Sequence, residues 1–165
     1  MGTVNAVILG IDPGYHKLGF AVIKPALHNG FRLLDLGIIT TTPRRPLLQR
    51  ILFLLTDLQH LVREHGITHA VIEEPQSLSI KRIRNVYLVT GAVVGELLKA
   101  EVQVELVTPT QLKRFVAGRG DAVKEQVKNF LSAQYSLDKK KLFFEDDAAD
   151  ALGLALMGLD LINAV

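Results

Sequence analysis

The order of strand-like and helix-like segments is what most constrains the fold of this chain. Three strand-like runs come before any helical pattern. Val4 to Ile11 is a short apolar run rich in β-branched residues, Asp12-Pro13-Gly14 is a turn signal, and Leu18 to Ile23 resumes the strand character, so the two runs read as a hairpin. Phe31 to Thr42 supplies a third strand. Pro43 to Pro46 ends it, and Leu47, Leu48, Ile51, Leu54, Leu55, Leu58, Leu61 and Val62 then recur at helical spacing as far as Gly66. From there strands and helices alternate. His69 to Ile72 is a strand, and Val86, Val89, Val93 and Leu97 mark one face of a second helix after a polar loop. Val102 to Val107 is a strand, Pro109 to Val116 a short helix opened by its proline, and Asp121 to Tyr135 a further helix. A lysine-containing connector, Ser136 to Phe144, leads to a last helix from Asp146 to Ile162, with Ala148, Leu152, Ala155 and Leu159 on one stripe. Hairpin-linked strands followed by strand-helix-strand units predict an α/β protein whose mixed five-stranded sheet carries helices on both faces.

The chain has 165 residues, enough for one complete core, and no internal repeat or linker divides it, so a single domain over 1–165 is expected. No apolar run approaches the ~20 residues that span a bilayer. Met1 to Asn5 lacks the basic-then-apolar pattern of a signal peptide, which points to a cytoplasmic protein, or one in the host cytoplasm if the source is viral. With no cysteine, thiolate metal sites and thiol nucleophiles are excluded, and any metal must be held by oxygen or imidazole. The net charge of +2 is unremarkable as an average. Its distribution is not even: Lys81, Arg82 and Arg84 form one basic cluster, Lys113, Arg114, Arg119, Lys124 and Lys128 a second, and Lys139 to Lys141 a third, whereas Glu145, Asp146, Asp147 and Asp150 are packed together. Each cluster alone reads better as a solvated face or loop than as a phosphate site; an acidic site inside a basic rim would give the same average.

Asp12 sits where a central strand ends, and ligands of open α/β sheets collect beyond the carboxyl ends of strands. An aspartate before Pro-Gly is also a good turn residue. Glu73 likewise ends an apolar strand, and if the two strands are parallel neighbours their carboxylates meet over one edge. Asp147 and Asp150, three apart, share a helix face. Asp146 or Asp147 would serve equally as a helix cap, but capping does not explain Asp150, which is expected to face the core and to need a partner or a metal. Four converging carboxylates suit hard cations such as Mg²⁺ or Mn²⁺. Two such ions roughly 3.5–4 Å apart serve phosphodiester hydrolysis without a side-chain nucleophile.

Four blocks then carry a family resemblance. Gly10-Ile11-Asp12-Pro13-Gly14 with Gly19, Ile72-Glu73, the stretch from Gln111-Leu112-Lys113 through Gly118 and Gly120 to Lys124 and Gln126-Val127, and Asp147-Ala148-Ala149-Asp150-Ala151-Leu152 resemble RuvC-type Holliday junction resolvases, in order and over nearly the whole chain. The element order matches the ribonuclease-H-like architecture of that family. The resemblance implies a homodimer that binds four-way DNA junctions and nicks two opposed strands symmetrically with Mg²⁺ or Mn²⁺. It implies that Asp12, Glu73, Asp147 and Asp150 are catalytic and metal-binding, and that Lys113 and Lys124 lie near the scissile phosphate. Gln76, Lys81, Arg82, Arg84 and Arg119 are the further candidates for DNA contact. Gly91 and Gly95 lie on the helix that contributes to the family's dimer interface, although packing against the chain's own sheet would explain them equally. Glu74, Glu145 and Asp146 leave each acidic cluster open by one position. Where many members carry an aromatic residue three beyond the glutamate, this chain has Gln76, and relaxed sequence preference is expected. The resemblance names no branch-migration partner.

Two rival readings differ in their tests. A nuclease of the same fold acting on generic branched DNA or on RNA would separate on a substrate panel. An actin-like or sugar-kinase-like ATPase also has Asp-x-Gly on a hairpin, but closes two such domains on ATP, and no second phosphate loop is visible here.

Overall fold

The computed structural model describes residues 5–26, 30–76, 79–117, 129 and 146–163. The expected helix over 121–135 and the connector over 136–144 lie almost wholly outside them. The described strands are β1 (Ile8–Asp12), β2 (Lys17–Ala26), β3 (Gly30–Thr40), β4 (His69–Glu73) and β5 (Gln103–Val107). The described helices are α1 (Leu47–His65), α2 (Ile80–Lys99), α3 (Pro109–Ala117) and α4 (Asp146–Asn163). They form the mixed five-stranded sheet expected, in the order β3-β2-β1-β4-β5. β1, β2 and β3 pair antiparallel, whereas β1 with β4 and β4 with β5 are parallel. No helix among the described residues is long and apolar enough to cross a membrane.

The alternation of side chains along a strand sorts the core into two layers. Leu9 and Ile11 of β1, Leu18, Phe20 and Val22 of β2, and Ala70 and Ile72 of β4 pack with Leu54, Leu58 and Leu61 of α1 and Val89, Val93 and Leu97 of α2. Ile8, Ala21, Ile23 and Val71 point the other way, onto Leu112 and Val116 of α3 and the apolar residues of α4. Helices therefore cover both faces.

Local chemistry sets several boundaries. Gly66 ends α1 in the left-handed conformation, with φ 62°. Thr108 and Gln111 form a reciprocal cap at the start of α3: the Gln111 amide donates to Thr108 Oγ1 at 3.2 Å, and the Thr108 amide donates to Gln111 Oε1 at 2.7 Å. Pro109 follows as the first helical residue, where its missing N–H costs nothing. Two expectations were too narrow. Helix α2 begins at Ile80, well ahead of Val86, the first residue of the face that marked it, because the Ser79 carbonyl already accepts the Ile83 amide. Helix α4 is buried around most of its circumference and not along one stripe, since it packs on the sheet and is flanked by α3.

Candidate active site

Strand parity places the first two carboxylates. Counting from Ile8 in steps of two, Gly10 and Asp12 share the α4 face of β1, and Val71 and Glu73 share the same face of β4. Ile11 is in register with Ile72 across the parallel pair, so Asp12 and Glu73 leave the sheet side by side at its carboxyl edge. The third comes from the opposite direction, out of the first turns of α4. One carboxylate oxygen each from Asp12, Glu73 and Asp150 lies within 4.8 Å of the others, and all three residues are half-buried. Three anionic oxygens gathered so closely, with no thiolate in the chain, fit a hard divalent cation by the chemistry of the donors.

The closeness of α4 to the sheet has a cause in the sequence. A Cβ on Gly10 would run into the Ala151 carbonyl oxygen and the Ala155 amide nitrogen, and one on Gly19 would run into the Asp147 carbonyl. Only hydrogen at these two positions lets the helix backbone rest on the strands and bring its aspartates down to the strand ends.

These groups open into a cleft of about 470 Å³. Asp147 lines it, outside the close trio, and so do Glu74, Pro75 and Gln76 beyond β4. Of the neighbouring acids that left the register open, Glu74 is in the wall but not in the trio, and Asp146 is exposed. The other candidates are not among the residues lining the cleft or lie outside the described residues. Lys113 is half-buried on α3 and Arg84 exposed on α2, and neither lines the cleft. Lys81 and Arg82 lie in α2, but their side chains are not described. Arg119, Lys124, Gly118, Gly120 and Glu145 are outside the described residues. Gly91 and Gly95 are exposed, with nothing within 4 Å of where a Cβ would be, so packing against the chain's own sheet does not account for them.

Sequence reasoning passed over one wall of the cleft. Tyr15, His16 and Lys17 complete the turn from Asp12 into β2 and line the cavity. Their signal was position alone: they follow Asp12-Pro13-Gly14 at the carboxyl end of a strand. Ile83 and Val86 of α2 add an apolar side opposite.

Comparison with known proteins agrees with this geometry. The family model described as crossover junction endodeoxyribonuclease RuvC matches residues 8–158. The chain is 35% identical over 151 residues to crossover junction endodeoxyribonuclease RuvC of Parasynechococcus marenigrum, covering 92% of this chain and 96% of that one. It is 33% identical over 150 residues to the protein of the same name from Petrotoga mobilis, covering 90% of each. Among solved structures it is similar to T. thermophilus RuvC in complex with Holliday junction substrate, with a TM-score of 0.79, 27% identity and 92% of each chain covered. The yeast mitochondrial Holliday junction resolvase Ydc2, at 13% identity and a TM-score of 0.65, shares the fold.

Proposed function

Because the chain belongs to the RuvC family of crossover junction endodeoxyribonucleases, we propose that the cleft between β1, β4 and α4 is where it hydrolyses the phosphodiesters of branched DNA. It is a metal-dependent endonuclease that resolves Holliday junctions. The observation that carries the assignment of the site is the convergence of Asp12, Glu73 and Asp150 within 4.8 Å at the carboxyl edge of the sheet.

In this reading Asp12, Glu73, Asp147 and Asp150 would hold the metal, Mg²⁺ or Mn²⁺, two per site. What such cations supply when bound is Lewis acidity, on the attacking water and on the departing 3′ oxygen. The carboxylates fix that chemistry in place: strand parity orients Asp12 and Glu73, and α4 presents Asp150 against them. Lys113 and Lys124 neutralise phosphate charge near the scissile bond, and Gln76, Lys81, Arg82, Arg84 and Arg119 contact DNA outside it. Phosphate contacts of this kind position a substrate and read no sequence. One domain over 1–165 holds one such site, so two symmetric nicks need a homodimer. The protein acts in the cytoplasm, and with Gln76 in place of an aromatic residue it selects junction shape with weak sequence preference.

The test is cleavage of a synthetic four-way junction, a flap, a linear duplex and an RNA hairpin side by side. Paired symmetric nicks in the junction are expected with Mg²⁺ or Mn²⁺ and none with excess EDTA. Equal cleavage of flap and junction, or preference for RNA, would replace the junction reading by that of a generic nuclease of the same fold.

A further inference from the structure

Helix α1 carries a charged residue where none is needed for its packing. Arg50 is 6% exposed, facing inward one turn before the core residue Leu54. A buried guanidinium persists only where its donors are satisfied. Among the described residues it meets no carboxylate; its partners are neutral oxygens, all in or beside the turn that leaves Asp12. Arg50 Nε donates to Thr41 Oγ1 at 2.9 Å, and Arg50 Nη2 donates to the Tyr15 carbonyl. Thr41 Oγ1 donates to the same Tyr15 carbonyl at 2.7 Å, and the Thr41 amide donates to the His16 carbonyl at 2.9 Å. The guanidinium carbon also stands 5.2 Å from the centre of the Tyr15 ring.

Two successive carbonyls of one short turn are thus held from outside the catalytic centre, by residues 26 and 35 positions further along the chain from Tyr15. That turn joins Asp12 to Lys17, and every residue in it lines the acidic cleft. We infer that Arg50, acting with Thr41 through the Tyr15 and His16 carbonyls, is a positioning residue that holds the Asp12–Lys17 turn in the shape the metal site requires. A fork of donors suits this task, because it grips one carbonyl and one hydroxyl at once and leaves the outer surface of the turn free to face substrate.

The inference rests on the nuclease reading of the cleft, and one set of measurements separates the two. Arg50→Met keeps the aliphatic stem and removes every donor; Thr41→Val keeps the shape and removes the hydroxyl, and serves if Arg50→Met does not fold. Leu58→Ala, in the core of the same helix but away from the turn, is the control for simple destabilisation. In the metal-free protein, amide exchange in the peptide covering Pro13 to Leu18 is expected to quicken at least tenfold in Arg50→Met and not in Leu58→Ala. The Mn²⁺ concentration for half-maximal binding, followed by calorimetry, is expected to rise at least threefold. Single-turnover cleavage of a four-way junction is expected to fall at least tenfold, with junction affinity in Ca²⁺ within about twofold of the parent and partial rescue in Arg50→Lys. The double variant with Thr41→Val is expected to lose less than the two single losses combined, since both act on one carbonyl. Exchange, Mn²⁺ binding and rate in Arg50→Met that track melting temperature as they do in Leu58→Ala would overturn the inference. A parent protein that binds Mn²⁺ but cleaves no junction would overturn the nuclease reading instead, and the first two measurements would still judge Arg50.

Discussion

The carbonyl oxygen of Asp147 occupies the space that a side chain at Gly19 would fill, and Gly19 is itself the ladder partner of Asp12 across β1 and β2. One missing methyl group therefore sets how closely the acidic end of α4 approaches the acidic end of β1. Gly19→Ala is expected to cost about 1–3 kcal/mol of stability, because the atom it meets is backbone and cannot swing aside. Cleavage is expected to fall further, by tenfold or more, as Asp150 is displaced from Asp12. Gly37→Ala is the comparison, since its Cβ would meet only the Phe20 ring, at 3.1 Å. Thermal melts and single-turnover rates on both variants check this; equal effects would mean that the approach of α4 is not what the site depends on.

Removing one of the proposed anionic ligands is expected to disable the site while reducing repulsion toward phosphate. Asp12→Asn, Glu73→Gln and Asp150→Asn are each expected to lower cleavage at least a hundredfold while four-way junctions still bind in gel-shift assays. Glu74→Gln and Asp146→Asn are expected to keep measurable activity, since neither belongs to the close trio. An inactive Glu74→Gln beside an active Glu73→Gln would move the site by one residue.

The outer face of α2 presents Tyr87, Leu88, Gly91, Gly95 and Leu98 to solvent, with Tyr87 56% and Leu98 58% exposed. This is the surface expected to pair in the proposed homodimer. Leu88→Glu with Leu98→Glu should leave melting by circular dichroism little changed, because neither side chain is in the core, and should halve the mass seen by sedimentation. Nicks on the two junction strands should then lose their coupling. A double variant that still sediments as a dimer would place the interface elsewhere.

Gln76 stands in the wall of the cleft and offers little surface for stacking on an unpaired base, an interaction worth ~1–3 kcal/mol where an aromatic ring supplies it. Nicks mapped on junctions with many different crossover sequences are expected to differ in rate by less than about tenfold. Gln76→Phe is expected to widen the spread. Cleavage by the parent confined to one short motif would count against the idea.

The fold was legible because strand and helix signals act over short distances. The Asp12-Pro13-Gly14 turn, the Pro43 to Pro46 break, Gly66 and Pro109 each act on their own neighbours, and so the order of the described elements followed from the chain read in sequence. Asp12 and Glu73 stood out for the same reason, as acids ending apolar strands. The choice between Glu73 and Glu74 could not be made locally, because it depends on which face of β4 meets α4, and that is a property of the parallel pairing of Ile11 with Ile72. The same holds for α4, whose burial on nearly all sides comes from the sheet and from α3 and not from its own periodicity.

Arg50 marks the limit most clearly. In sequence it is one polar residue in an amphipathic helix, indistinguishable from the solvated arginines Arg44 and Arg45 before it. Its burial and its grip on Tyr15, 35 positions earlier in the chain, exist only once β3 has brought Thr41 beside the turn. The sequence by itself determined the order of elements and the chemical kind of the site, since turn propensity, periodicity and the absence of thiolates are properties of neighbouring residues and of composition. Which carboxylates meet, how closely α4 descends onto Gly10 and Gly19, and what holds the turn beyond Asp12 were decided by tertiary packing, because each depends on atoms that are distant in the chain and adjacent only in the folded protein.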